Sequence, residues 1–336
     1  MARKRSITMD DVARLARVSK PTVSRALSGS PLVTRKTKDR ILAVARRYGY
    51  AVNRNAQKLR RNRTNTIAVS LDFHSHRKNR ISDPFIFDLL AGVSEALGER
   101  KQDLLLCAPN HNDTGAFAQI LASQAADGFI VLGQGHREHM LEKFARSGAP
   151  FVVWGAGTSR TPYCVIGSDN FLGGLLAGRY FLGKNRRRYL FVGDVSFREI
   201  AQRREGLRAA VEESGRDVSV HEVASSNFSF ESALETATRY LGAASAPPDA
   251  IFAYSDTAAM AAIRACLNHG LEVPQAVSVV GYNDIPAAAY FSPPITTIRQ
   301  DTHQAGAVLV SSLMRMLEGA GADSQVIPTE LIVRET

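Results

Sequence analysis

A small all-α head followed by a larger α/β body is the fold class this sequence predicts, and three observations predict it. Two short helical stretches flank a two-residue turn near the N-terminus. From residue 66 onward, apolar runs of strand length alternate with helical stretches. Charge divides at the same place: residues 1–66 hold 18 Lys and Arg against 3 Asp and Glu, and the remainder holds 24 against 29.

Residues 1–7 read as a basic arm. Thr8 is a candidate cap for a helix over Met9–Ala16, with Val12, Leu15 and Ala16 on one stripe. The turn is Arg17-Val18. Ser19 then caps a second helix that runs to Ser28, and Pro21 fits its first turn because its missing N–H costs nothing there. Val23 and Leu27 are four apart and pack inward. Lys20, Thr22 and Arg25 face elsewhere, and Ser24 sits between the two faces. Two short helices, a tight turn and an outward basic face make a helix-turn-helix, which places its second helix in a major groove. Gly29-Ser-Pro31 breaks the chain. Thr34 caps a third helix over about 35–48, with Ile41, Val44, Ala45 and Tyr48 inward and Gly49 closing it. Residues 51–65 are too polar to bury themselves, and a helix so short is marginal in water.

In the body, strands are expected at Ile67–Phe73, Leu104–Ala108, Gly128–Leu132, Phe151–Trp154, Val165–Gly167, Leu190–Gly193, Val218–Val223, Ala250–Tyr254 and Val277–Tyr282. Helices are expected over 86–100, 114–125, 137–147, 170–183, 200–214, 231–242, 256–269 and 303–318. Continuous apolar strands alternating with helices mean doubly wound parallel sheet covered on both faces. The body is larger than one such sheet needs.

Composition narrows the function. The chain has 336 residues, 45% of them hydrophobic, and a net charge of +10 concentrated in its head. A basic head on a mildly acidic body is the footprint of a nucleic-acid binder. The apolar residues of the head form narrow core stripes, unlike a membrane-inserting face. No apolar run reaches membrane-spanning length, and none follows the basic N-terminus as a signal peptide requires, so a cytoplasmic, nucleoid-associated protein is expected. Cys107, Cys164 and Cys266 are odd in number and far apart, which suits buried thiols in a reducing compartment.

Enzyme motifs are weak. Gly155-Ala-Gly157 follows a strand, but no third glycine comes at the dinucleotide spacing. His136 and His139 are better read as two surface histidines than as metal ligands. Arg186-Arg-Arg188 reads as a solvated turn, with an extra phosphate contact as the other reading. No enzyme activity, catalytic residue, cofactor or metal is expected.

The stretch Thr8-Met-Asp-Asp-Val-Ala-Arg-Leu-Ala-Arg-Val-Ser-Lys-Pro-Thr-Val-Ser-Arg-Ala-Leu27 resembles the N-terminal signature of the LacI/GalR (lac repressor) family. So do Val33-Thr-Arg-Lys-Thr-Lys-Asp-Arg-Ile-Leu-Ala-Val-Ala-Arg-Arg-Tyr-Gly-Tyr50 and Asn53-Arg-Asn-Ala-Gln-Lys-Leu59. Near the end, Val279-Val-Gly-Tyr-Asn-Asp-Ile285 and Ser292-Pro-Pro-Ile-Thr-Thr-Ile-Arg-Gln300 are similar to the family as well. The resemblance implies a helix-turn-helix headpiece (1–50), a hinge (51–65) and a periplasmic-binding-protein-like body (66–336). That body would have two doubly wound subdomains with a ligand cleft between them. Crossovers are expected near Ile166–Asp169, Pro294–Gln300 and Gly321–Val326.

For DNA, the resemblance implies roles for Thr8, Ser19, Lys20, Pro21, Thr22, Ser24, Arg25 and Thr34. In the hinge it implies roles for Asn53, Arg54, Ala56 and Leu59. Leu59 is then a minor-groove wedge; the other reading is an idle linker residue. For the effector, the matching positions are Asp83, Phe85, Trp154, Arg203, Phe228, Ser255, Asp256 and Asn283. Flat aromatic faces stack on sugar C–H faces, while Arg and carboxylate or amide groups grip hydroxyls. Each aromatic read alone fits core packing equally well, and Asp256 is either an effector contact or the cap of the helix that begins there.

The chain departs from the family pattern in four places. Arg17 stands where most members have Gly, and Val52 replaces the usual Pro. Asn283 replaces the usual Asp, which favours a neutral ligand over a cationic one. His74–Arg80 lengthens the loop after the first strand of the body. The expected function is therefore a repressor of sugar-utilisation genes that binds a palindromic operator as a homodimer and responds to a sugar. A purine- or sugar-acid-responsive regulator of the same family is the alternative.

Overall fold

The computed structural model describes residues 7–27, 30–50, 63–72, 84–107, 113–158 and 160–336. Contacts divide the chain into a unit ending at Thr64 and a unit beginning at Asn65.

The first unit holds α1 (Met9–Leu15), α2 (Lys20–Leu27) and α3 (Arg35–Arg47). Val12, Ala13, Ala16, Val23, Ala26 and Ile41 form its core. Most of these are small, so the three helices approach closely. Two residues expected inward are not: Leu15 is 42% and Tyr48 48% exposed. In α1 the buried stripe runs through Ala13 rather than Leu15. At the end of α3, Gly49 takes a φ of +65°, and Tyr50, not Tyr48, returns to pack on the core. Thr34 stands at the start of α3 with extended backbone but makes no side-chain capping bond; its hydroxyl donates to Thr37 Oγ1 at 3.0 Å instead. Arg17 adopts φ +52° in the turn, the strained left-handed conformation that its replacement of Gly implied.

The second unit begins with β1 (Thr66–Leu71), α4 (Pro84–Glu99), β2 (Asp103–Leu106), α5 (Thr114–Ala122), β3 (Gly128–Leu132), α6 (Glu138–Ala145), β4 (Phe151–Trp154) and β5 (Cys164–Ser168). A second lobe follows: α7 (Asn170–Gly183), β6 (Arg188–Val192), α8 (Arg198–Ser214), β7 (Ser219–Val223), α9 (Phe230–Ala243), β8 (Ala250–Ala253), α10 (Asp256–Asn268), β9 (Ser278–Asn283), α11 (Pro286–Tyr290) and β10 (Thr296–Arg299). The chain returns to the first lobe for α12 (Thr302–Leu317) and β11 (Gln325–Ile327), then ends on β12 (Glu330–Ile332) in the second. The first sheet, β2-β1-β3-β4-β5-β11, is parallel throughout. The second, β7-β6-β8-β9-β10-β12, is parallel except for β12.

The nine expected strands and eight expected body helices are all present. The sequence reading lacks β10, β11, β12 and α11, which are short and mixed in polarity. The crossovers shift accordingly. One lies at Asp169, as expected. The second falls at Gln300-Asp301, at the very end of the expected stretch, and the third at Pro328-Thr329, beyond it. Helices α7 and α8 lie against each other through glycine. A Cβ on Gly174 would sit 1.9 Å from the Arg203 carbonyl oxygen, and one on Gly206 1.9 Å from that of Phe171. Only bare backbone permits this approach, which sets the α8 backbone at Arg203 against α7.

Arg187 and Arg188 stand exposed, as a solvated turn implies, but the triplet also ties loops together. Arg186 donates to the carbonyls of Pro274, Gln275 and Ala276 and to Ser278 Oγ, and Arg188 donates to the Pro247 carbonyl. These guanidiniums are committed to the protein, which leaves little for a phosphate. The three cysteines are free and buried. Among the described residues no helix is long and apolar enough to cross a membrane, and no cluster of His, Cys, Asp and Glu is arranged to hold a metal.

Candidate nucleic-acid interface and ligand cleft

Helix α2 is exposed along one side and buried along the other. Val23 and Ala26 anchor it in the core. Ser19, Lys20, Pro21 and Arg25 are exposed, and Thr22 and Ser24 are half-buried. The Ser19 hydroxyl accepts from Thr22 N–H at 3.3 Å and lies 2.8 Å from Thr22 Oγ1, so it fixes the first turn. Thr8 and Asp11 form a reciprocal capping box that fixes the start of α1. Lys20 Nζ meets Asp10 at 2.8 Å, but both side chains are more than half exposed. Such a surface pair is worth little and yields readily to a stronger anion. Asn53, Arg54, Ala56 and Leu59 lie outside the described residues, as do Asp83 and the insert 74–80.

The cleft lies between the two lobes, at the carboxyl ends of their parallel strands, where open α/β folds take ligands. Its cavity volume is about 120 Å³. The first lobe contributes Asp72 after β1, Phe85 from α4, Gln134 after β3, and Trp154 and Ser168 at the ends of β4 and β5. The second contributes Phe197, Glu199, Arg203, Phe228, Tyr254, Ser255, Asn283 and Gln300. Six of the sequence-derived positions therefore meet here: Phe85, Trp154, Arg203, Phe228, Ser255 and Asn283.

Asp256 is not among them. It has no exposed surface, and its carboxylate accepts from Ile285 N–H at 2.8 Å and from Thr297 Oγ1 at 2.5 Å. It does not cap α10 with its side chain either. Ser255 does that, accepting from Ala258 N–H. Asp256 joins α10 to β10 and to the loop after β9, which is a structural role.

Arg203 is fixed on three sides. Nε donates to Asn170 Oδ1 at 2.8 Å, Nη1 donates to the Tyr254 carbonyl at 2.6 Å, and the guanidinium lies 3.6 Å above the centre of the Tyr282 ring. Among the described residues neither of these two hydrogen bonds uses Nη2, which leaves that group to donate to a ligand. Burial pushes the Tyr282 phenol up to about 12, against the pull of Arg203, so it stays neutral and donates to Asn170 Oδ1. Asn170 opens α7 directly after the first crossover, so the cleft arginine is bonded to the segment that joins the two lobes. Asn283, at φ +112°, accepts from Gln300 Nε2 at 2.7 Å. The neighbouring Asp284 binds Arg299 and Arg334 at 2.7 and 2.6 Å.

Rings line both walls. Phe197, Phe228 and Tyr254 form a chain with centroids 4.7 and 5.4 Å apart, and Phe85 faces Trp154 at 6.2 Å. The lobes also touch across the mouth. His136 lies against Phe197 at 4.3 Å, and Arg198 Nη2 meets Glu138 Oε1 at 2.7 Å. Behind the first-lobe wall the buried Arg137 has its Nε 3.9 Å from Asp72 Oδ1. Burial lowers the pKa of this guanidinium and the Asp72 carboxylate raises it.

Asp72, Gln134, Phe197, Glu199, Tyr254 and Gln300 escaped the sequence reading. A usable signal existed for three of them: Asp72, Gln134 and Tyr254 each lie at or just past the end of an expected parallel strand, whereas the strand before Gln300 was not expected. Glu199 had another, since it stands four residues before Arg203 and shares its helix face. Its carboxyl is pushed above the ordinary range, first by burial and further by Asp72 and Glu138, while a backbone hydrogen bond and Arg203 act in the other direction.

Comparison with known proteins gives a consistent result. Residues 8–53 match the family described as bacterial regulatory proteins, lacI family, and residues 179–336 match the periplasmic binding protein-like domain. The HTH-type transcriptional regulator DegA of Bacillus subtilis (strain 168) is 30% identical over 340 residues, covering 98% of this chain and 97% of its own. The structure of a transcriptional regulator CelR–cellobiose complex is 28% identical, with a TM-score of 0.71 over 98% of this chain and 99% of that one. The lac repressor dimer bound to operator and the anti-inducer ONPF superposes with a TM-score of 0.87 over 99% of both chains. Its 22% identity makes this a likeness of fold.

Proposed function

The chain belongs to the lacI family of bacterial regulatory proteins, and from that premise we propose that it is a repressor of sugar-utilisation genes, binding a palindromic operator as a homodimer and responding to a sugar in its cleft. As a member it is a DNA-binding transcriptional regulator and not an enzyme. In this reading residues 1–50 read DNA, 51–65 form the hinge, and 66–336 bind effector and dimerise, in the cytoplasm on the nucleoid. Lys20, Pro21, Thr22, Ser24 and Arg25 face the major groove, while Thr8, Ser19 and Thr34 position the backbone. Asn53, Arg54, Ala56 and Leu59 form the hinge segment that enters the minor groove.

The observation that carries the sugar reading is the cleft itself. Aromatic side chains on both walls line the cleft with the Arg203 guanidinium and two amides, the combination that grips a ring with apolar faces and hydroxyl edges. The CelR relative solved with cellobiose supports the same class. The mechanism is linkage: a ligand held by both lobes changes the population of the closed form, and closure changes how the two hinge segments meet DNA. Arg203 links the ligand to the first crossover between the lobes through Asn170. A thermal-shift screen of mono- and oligosaccharides, repeated with operator DNA, tests this. A sugar that raises the melting temperature and alters operator affinity is the expected result. A screen in which only purines or sugar acids do so would replace the reading.

A further inference from the structure

Among the described residues the cleft lining holds three charged side chains, Asp72, Glu199 and Arg203. Two of them have partners. Asp72 has the buried Arg137, and Arg203 has Asn170 and the Tyr254 carbonyl. Glu199 forms no ion pair and no side-chain-to-side-chain hydrogen bond among the described residues. Arg203, on the same face of α8, acts on Glu199 through its charge but spends its hydrogen bonds on Asn170 and the Tyr254 carbonyl and forms no ion pair with it. The other ionised groups near Glu199, Asp72 from the end of β1 and Glu138 from α6, are acidic, and Glu138 is already paired with Arg198. Glu199 is half-buried in the cleft lining, and a carboxylate held partly away from water without a direct ion-pair partner is costly.

The rings argue in the same direction. Phe197, Phe228 and Tyr254 line one wall and Phe85 and Trp154 the other, and the face of an aromatic ring attracts a cation. The remaining polar groups suit hydroxyls: the Arg203 guanidinium and the Asn283 amide both line the cleft. The neutral residue at position 283 argued for a neutral ligand. Glu199 puts a carboxylate back on the same lobe and reverses that expectation.

We propose that the effector carries a protonated amine that pairs with Glu199, together with hydroxyls that meet Arg203 and Asn283: an amino sugar rather than a neutral sugar. This rests on the reading of the cleft as a carbohydrate site. The test is calorimetry and thermal shift on the full chain at pH 6.5 with matched sugars. The pairs are glucosamine with glucose, galactosamine with galactose, and the amine disaccharide of chitosan with cellobiose, with N-acetylglucosamine as the uncharged nitrogen control. The expected result is at least tenfold tighter binding of an amine member than of its hydroxyl partner. The acetylated sugar gains nothing. Glu199→Gln removes the tenfold preference, and Glu199→Asp, with its shorter reach, keeps part of it. Equal or tighter binding of the hydroxyl partner overturns the proposal and leaves the carbohydrate reading standing, as does an amine preference that survives in Glu199→Gln. Binding by no sugar of either kind overturns both.

Discussion

Replacing Asp256 with Ala separates a structural carboxylate from a ligand contact. In the native protein its two oxygens accept from Ile285 N–H and Thr297 Oγ1, and nothing of the side chain reaches solvent. Alanine leaves both donors buried without partners. Each unsatisfied donor costs about 1–3 kcal/mol, and bonds to a charged acceptor sit at the upper end. The carboxylate also occupies the first turn of α10, where the helix dipole favours it by about 0.3–1 kcal/mol. The loss of stability should therefore be about 3–5 kcal/mol. Trp154, the single tryptophan, reports on the fold from the cleft wall, so urea unfolding followed by its fluorescence gives the number directly. Thr297→Val removes one of the two donors and should cost less. The double variant should cost less than the two single changes added, because they share a bond. If Asp256→Ala unfolds at the wild-type urea concentration but no longer responds to effector, the carboxylate faces the ligand after all and this account fails.

Other consequences are shorter to state. Arg25→Ala should flatten sequence preference at one base pair of each half-site, a loss of about 1–3 kcal/mol of discrimination if the contact is bidentate to guanine; selection from a random operator library measures it, and an unchanged motif would remove Arg25 from base readout. Trp154→Ala should weaken effector binding by about tenfold or more through loss of a stacking face, seen by calorimetry; unaltered binding would move the ligand away from β4. The pH dependence has a definite sign. The folded Glu199 carboxyl binds its proton more tightly than the unfolded one, so its contribution favours the folded protein at low pH and is lost as pH rises from the ordinary carboxylate range toward the raised value. Glu199→Gln should gain stability relative to wild type over that interval, and parallel melting curves from pH 4 to 8 would contradict it.

Much of this protein is legible in its sequence because the informative features are local. The turn at Arg17 and Val18, the capping pair Thr8 and Asp11, and the apolar strands of the body each depend on neighbours within a few residues. What was not legible depends on distant partners. Leu15 and Tyr48 looked inward because the period of a helix says nothing about where its neighbours lie. Strand β10, with two threonines and an arginine, is a strand because β9 lies beside it. Asp256 carries the sequence position of a ligand contact, but a hydroxyl 41 residues away takes up its carboxylate. Glu199 was hidden for the opposite reason. A surface-like Arg-Glu at a helix start becomes a half-buried acid only when the first lobe comes down over it.

The three crossovers have a consequence in the time during which the chain is made. Helix α12 and strand β11 complete the first sheet, yet they follow the whole second lobe in sequence. While the chain is being synthesised, the first lobe lacks an edge strand and a covering helix until nearly the last residue emerges. The head has no such dependence, since its core is closed by Ile41 and Ala45. A DNA-reading unit thus matures well ahead of the cleft that is to govern it, and the two lobes of that cleft must finish folding together, as a single late event.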